Sequence, residues 1–311
     1  MKIEEILTMS TDFREDNQIK SFTFGHGKKA ACIVGAMRGN EYQQLYICSQ
    51  LIRTLTRLEE KGAIVSGKEI MVIPSLNGHS INIGKKYWGM DNSDINRQFP
   101  GNPHGEATSR IAARVLEVVS AYDYGIQFPS FYLEGEFIPH IRMMETGKES
   151  SSLANLFGMP YVVISEPRAF DGSTLNYNLQ MRGTNAFSVY TSTTSSIEEN
   201  LAGQAVSAVL RFLTRMGIIR YQLHPGYIAT VLEESELISV KSTASGVLHK
   251  TCAINQEVER GELLAEILHP YDGSVIAEIH SPFDGIVFFA NTEPMAFQNS
   301  AVFKLIKKLH A

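Results

Sequence analysis

Apolar residues are arranged along this chain in two different rhythms. Residues 30–36 (AACIVGA) form an unbroken run of small and β-branched side chains, the pattern of a strand buried on both faces. From Tyr42 onward, Leu45, Cys48, Leu51, Ile52, Leu55 and Leu58 return every three or four residues until Gly62, which predicts an amphipathic helix. A second apolar run at residues 70–73 leads into a polar stretch from Pro74 to His104, and helical spacing resumes at Ile111, Val115, Val118 and Val119. Polar connections of that length inside a compact domain are often functional. Further strands are predicted at residues 124–128, 138–143, 161–164 and 186–190, and helices near Leu153, near Leu179 and over residues 197–216. Strands and helices in alternation predict an α/β sheet covered by helices on both faces.

After Gly226 helical spacing stops, and short β-type runs are separated by Ala-Ser-Gly, Tyr-Asp-Gly and Phe-Asp-Gly turns. The change predicts a boundary near residue 224, with an α/β domain over residues 1–224 and an all-β domain over residues 225–311. Within the second, STASGVL (242–248) and SPFDGIV (281–287) share Ser-x-x-x-Gly followed by two apolar residues, which suggests two related halves of a small barrel.

Composition narrows the function classes. The chain has 311 residues, 44% hydrophobic and 20% charged, enough for one large domain and one small one. A formal net charge of -5 argues against a partner bound chiefly through phosphates, which needs a concentrated positive surface, so no nucleic-acid partner is expected. The three cysteines, Cys32, Cys48 and Cys252, have no C-x-x-C spacing, so neither a disulfide framework nor a thiolate zinc site is expected. No apolar run approaches the length of a membrane span, about 18 residues, so a soluble cytoplasmic protein without a membrane partner is expected.

Six short blocks carry the candidate chemistry: GAMRGNE (35–41), PSLN (74–77), DINRQFPG (94–101), YDYGIQFP (122–129), PHIR (139–142) and NAFSVY (185–190). In identity and order they resemble the succinylglutamate desuccinylase/aspartoacylase branch of the zinc-carboxypeptidase superfamily. The resemblance runs from about residue 20 to residue 308. It implies a zinc-carboxypeptidase-like mixed sheet flanked by helices, followed by a small C-terminal all-β barrel-sandwich domain. It also implies zinc-dependent hydrolysis of a C–N amide bond, with zinc held by two histidines and Glu41 and a glutamate acting as general base. The residues depart from that pattern: Arg38 and Pro129 stand where the family has its histidines, and Tyr190 stands at the position of the general base.

Each replacement has a chemical consequence. Arginine stays protonated and donates no lone pair to a metal, and proline has no ligating side chain. Of the three zinc ligands only Glu41 survives, so no cofactor is expected unless a zinc site has been rebuilt, with His79 or His140 joining Glu41. Three residues apart across a tight turn, Arg38 can pair with Glu41 in the metal's place, or can form an exposed salt bridge. A tyrosine, with an ordinary pKa of about 10, is a poor base at neutral pH. Glu134 and Glu136 are the candidate substitutes.

Asn96 and Arg97 match the pair that the family uses to hold a substrate carboxylate, a task for which a planar guanidinium fork is suited. Lys85, or its neighbour Lys86, and Arg142 are further candidates for the same ligand, while Asp94 is expected to brace the loop. The expected reading is a metal-free descendant that binds a small carboxylate such as an acidic N-acyl amino acid. The alternatives are a zinc amidohydrolase with a relocated metal, and a structural subunit whose pocket is filled by Tyr190 and Phe128. Because no lysine occurs between Lys250 and Lys304, the tail is not expected to act as a lipoyl or biotinyl carrier. It is expected instead to narrow a pocket entrance or to form a homo-oligomer contact.

Overall fold

The computed structural model describes residues 1–10, 16–131, 133–147, 151–192 and 194–308. These divide into two compact units, one of Met1–Ser130 with Pro139–Val231 and the other of Phe131–Ile138 with Leu232–Ala311. The division lies beyond the expected boundary at 224, and a segment from the middle of the chain joins the tail. The reason is local pairing. Gly135–Phe137 hydrogen-bonds along strand Gly285–Asn291 as an added antiparallel strand, and no polar pattern in residues 131–138 announces so distant a partner.

In chain order the elements are β1 (Lys2–Met9), β2 (Asn17–Gly25), β3 (Gly27–Ala36), α1 (Tyr42–Glu60), β4 (Gly67–Ser75), α2 (Gly78–Asn82), α3 (Ala107–Val119), β5 (Tyr124–Gln127), β6 (Gly135–Phe137), β7 (His140–Met144), α4 (Ser151–Ala154), β8 (Tyr161–Ser165), α5 (Leu175–Met181), β9 (Asn185–Tyr190) and α6 (Glu199–Arg215). Within the larger unit the strands run β1-β2-β4-β3-β5-β9-β7-β8. Strand β3 is parallel to β4 and β5, β5 to β9 and β7 to β8, whereas β1/β2, β2/β4 and β7/β9 are antiparallel, so the sheet is mixed.

The unbroken apolar run of β3 is explained by its central place. Ala31 and Ile33 face one cluster with Ile47, Leu51 and Leu55 of α1 and Phe212 of α6, while Cys32 and Val34 face a second with Ile111 and Val115 of α3 and Leu179 of α5. Successive side chains of a strand point to opposite faces, so a strand covered on both sides must be apolar throughout. Full burial of the larger ones, Ile33 and Val34, contributes about 1.5–3 kcal/mol each. The strand expected from residue 138 begins instead at His140, because Ile138 belongs to the other unit. The polar stretch of residues 74–104 is not featureless: it holds α2 and a single 3-10 turn, Ile95–Arg97.

The smaller unit contains β6 and the strands β10 (Leu237–Lys241), β11 (Gly246–Lys250), β12 (Glu257–Val258), β13 (Leu263–Leu268), β14 (Val275–His280), β15 (Gly285–Asn291), β16 (Met295–Ala296) and β17 (Ala301–Lys307). They form two antiparallel sheets, β10-β17-β15-β12 and β14-β13-β11-β16, around a core that includes Leu264, Ile267, Val287 and Phe303. The repeated sequence motif is a repeated structure. Ser242 Oγ donates to Ala244 O and Ser281 Oγ to Phe283 O, both at 2.6 Å, and the motif glycines open β11 and β15.

Candidate functional site

The carboxyl ends of parallel strands are where an open α/β sheet gathers its ligands, and Arg38, Pro129 and Tyr190 follow or end β3, β5 and β9 on that edge. After β3 the chain turns through Met37–Asn40 into α1. The turn passes so near the loop after α2 that a side chain at Gly39 would stand 2.2 Å from Lys85 O and 2.5 Å from Ser80 O, which requires glycine. Glu41, 1% exposed, folds back under this turn. Its Oε2 accepts from Met37 N at 2.7 Å and Arg38 N at 3.0 Å, and its Oε1 accepts from Ser130 Oγ at 2.6 Å and Arg38 Nη1 at 3.3 Å.

Arg38 is buried, so the exposed salt bridge is overturned. Its Nε and Nη2 donate to the two carboxylate oxygens of Asp94 at 3.0 and 2.8 Å, and its Nη1 donates to Ser130 Oγ at 2.7 Å as well as to Glu41. Four of the five N–H groups of a guanidinium are thereby used. Those four donors are engaged inside the protein rather than turned towards a ligand. Burial alone would lower its pKa, but Glu41 and Asp94 outweigh that and hold it above the ordinary arginine value. Asp94 also accepts from Asn96 N at 3.1 Å, so the same carboxylate anchors the 3-10 turn that carries Asn96 and Arg97.

The donor set does not suit a zinc ion. Arg38 offers no lone pair, buried Pro129 no side-chain ligand, and both Glu41 oxygens already accept two hydrogen bonds each, so these residues do not fit the metal that the resemblance implies. The proposed recruits do not join Glu41: His79 packs against Trp88 with ring centroids 6.2 Å apart, and His140 stacks on Tyr190 at 4.9 Å with the two rings parallel. Among the described residues no three His, Cys, Asp or Glu side chains are grouped to hold a metal ion. Glu134 and Glu136 lie in the smaller unit.

Asn96 is buried, and its Oδ1 accepts from Leu175 N at 3.2 Å, tying the turn to the first residue of α5. Arg97 is exposed. Its guanidinium lies 5.1 Å from the Phe170 ring and donates weakly to Asn96 O at 3.5 Å, with no ion pair among the described residues. Lys85 is exposed, and its backbone carbonyl rather than its ammonium is what lies against Gly39. Arg142 is buried in β7, opposite Ser188 of β9, and is not the solvated strand-end arginine that such residues usually are. Phe128 is part of the core beside α1 and α6, while Tyr190 is occupied with His140. Sequence reasoning passed over Ser130, which bridges Arg38 and Glu41, and over the buried polar group Gln127, Asn176 and Ser188. A serine beside Pro129 carries no pattern of its own, and the other three come from separate elements.

With this geometry the chain is identified: it belongs to the succinylglutamate desuccinylase/aspartoacylase family, whose catalytic domain (Succinylglutamate desuccinylase/Aspartoacylase catalytic domain) matches residues 27–216. Among curated proteins it is similar to the N-alpha-acetyl-L-2,4-diaminobutyric acid deacetylase of Halomonas elongata, 24% identical over 251 residues that cover 76% of this chain and 70% of the relative. The fold is that of the succinylglutamate desuccinylase/aspartoacylase of Rhodobacter sphaeroides, with a TM-score of 0.77 at 20% identity over 95% of this chain and 90% of that one. The product-bound Ectoine utilization protein EutE (DoeB) of Ruegeria pomeroyi has a TM-score of 0.80 at 18% identity, covering 97% of this chain and 93% of that one. Among the described residues no helix is long and apolar enough to cross a membrane.

Proposed function

We propose that this chain is a metal-free member of its family that binds a small carboxylate, of the class of an acidic N-acyl amino acid, and regulates or sequesters it rather than hydrolysing it with a metal-activated water. The observation that carries the reading is the pairing of the Arg38 guanidinium with both Asp94 oxygens and with Glu41, which puts a fixed protein cation among the groups a metal would need. Supporting it, Tyr190 at the general-base position is engaged with His140. The ligand-facing role falls to Arg97, the exposed fork held in place by Asp94 and Asn96. Similarity to a deacetylase of an N-acetylated amino acid supports the ligand class. Three free cysteines support a reducing, cytoplasmic setting.

Two measurements test the reading. Elemental analysis of protein purified without chelator or metal-affinity resin is expected to find no stoichiometric zinc, before or after zinc is added and dialysed away; one equivalent retained overturns it. Calorimetric titration with N-acetyl-L-glutamate is expected to show binding that weakens by about tenfold or more in Arg97→Ala, since a hydrogen bond to a charged group contributes about 1.5–3 kcal/mol. Unfolding stability should be unchanged, because Arg97 is exposed.

A further inference from the structure

Two arginines share one exposed ring. The guanidinium carbon of Arg97 lies 5.1 Å from the centroid of Phe170, and that of Arg168 lies 4.5 Å from the same centroid. Phe170 is 47% exposed and the Arg168 side chain 43%, so ring and fork are both open to solvent.

Backbone ties fix this cluster in place. Arg97 ends the turn Ile95–Arg97, and Phe170 belongs to a second 3-10 turn, Ala169–Ser173. The two are joined on both sides: Phe99 N donates to Ser173 O at 3.1 Å, and Leu175 N donates to Asn96 Oδ1 at 3.2 Å. Buried Asp171 anchors the start of the second turn, its Oδ2 accepting from Arg168 N at 2.9 Å and from Arg168 Nε at 3.3 Å. A guanidinium has more than one donor edge, so a contact through Nε does not use up the fork. Drawn to an aromatic face, it still carries its N–H groups at the rim, where a carboxylate meets them. Two cations at one ring also repel each other, and a ligand with two negative groups relieves that repulsion.

Arg142 is the rival for a second carboxylate. It is buried in β7 opposite Ser188, on the sheet and not on these two turns.

We propose that Arg168 is a specificity-determining residue for the ligand that Arg97 holds: it receives a second carboxylate, so the ligand is a dicarboxylic N-acyl amino acid in preference to a monocarboxylic one. The inference rests on the carboxylate reading of Arg97 and adds the residue that reads the second charge.

The test compares N-acetyl-L-glutamate with N-acetyl-L-glutamine, which match in shape and differ by one charge, in calorimetric titration of the intact protein. The wild type is expected to bind the glutamate compound about tenfold more tightly, the effect of one hydrogen bond to a charged group. Arg168→Gln, which keeps an N–H donor for Asp171, is expected to bring the glutamate compound down to the affinity of the glutamine compound while leaving the latter unchanged. Equal affinity of the two compounds in the wild type overturns the assignment to Arg168 and leaves the carboxylate reading of Arg97 intact. Failure of both to bind overturns both readings. A glutamate preference that persists in Arg168→Gln overturns the assignment and transfers it to Arg142. Equal weakening of both compounds in that variant also overturns it, since Arg168 would then only prop Phe170. The wild-type comparison needs no variant, so it stands even where the substitution fails to fold.

Discussion

Arg38 and Asp94 are joined by two parallel hydrogen bonds, Nε to Oδ1 at 3.0 Å and Nη2 to Oδ2 at 2.8 Å, across 56 residues of sequence. The pair locks the turn after β3 to the turn that presents Arg97. Removing the cation leaves Glu41 and Asp94, both largely buried, without their counter-charge. Breaking a buried pair from one side costs about 3–5 kcal/mol, so Arg38→Met is expected to lose that much in denaturant unfolding. A loss within experimental error would place Arg38 outside the framework.

The site's departure from a zinc centre is expected to be reversible in its donors. Arg38→His with Pro129→His returns two imidazoles to the neighbourhood of Glu41 and releases one of the hydrogen bonds that now occupies its carboxylate. The double variant is expected to retain zinc through dialysis where the wild type does not, read by elemental analysis and by a zinc-dependent rise in Tm.

In the smaller unit the two motif glycines are required by close approach. A Cβ at Gly246 would lie 2.5 Å from Leu268 O, and one at Gly285 2.6 Å from Ile306 O. Backbone oxygens in a sheet cannot move aside cheaply, so Gly246→Ala and Gly285→Ala are each expected to destabilise by about 1–3 kcal/mol. Gly203, exposed on α6 with nothing within 4 Å, provides the opposite sign: Gly203→Ala is expected to stabilise by about 0.5–1 kcal/mol. Thermal melts of the three variants check the contrast.

His280 has both ring nitrogens at acceptors, Nε2 at Glu278 Oε2, 2.9 Å, and Nδ1 at Gly261 O, 3.0 Å. The Glu278 hydrogen bond first, and the Gly261 carbonyl second, raise its pKa above the ordinary 6.5. The folded state therefore holds this proton more tightly than the unfolded chain does. Its contribution to stability is complete below the ordinary histidine pKa and is lost as pH rises through the raised value. An NMR titration of the His280 ring should find a midpoint above that of a free histidine, falling back in Glu278→Gln.

Much of this was legible in the chain itself. The apolar run of β3, the spacing of α1 and the change of rhythm after Gly226 identified buried strand, covering helix and β-rich tail, because side-chain burial repeats with the local geometry of each element. The block order fixed the family, and the identities of Arg38, Pro129 and Tyr190 were enough to say that lone-pair donors and a base were missing from their positions. Residue type alone decides whether a lone pair exists.

Only the tertiary structure decided where Arg38 sends its charge. An arginine three residues before a glutamate is compatible with an exposed pair or a buried one, and the choice depended on Asp94 and Ser130 arriving from elsewhere in the chain. The same holds for the strand that Gly135–Phe137 adds to the smaller unit, and for the buried amides of Gln127 and Asn176 that both reach Ser188. Such arrangements are set by contacts between distant segments. They leave no period in the sequence, since periodicity records which face of an element is buried and not which residue it meets there.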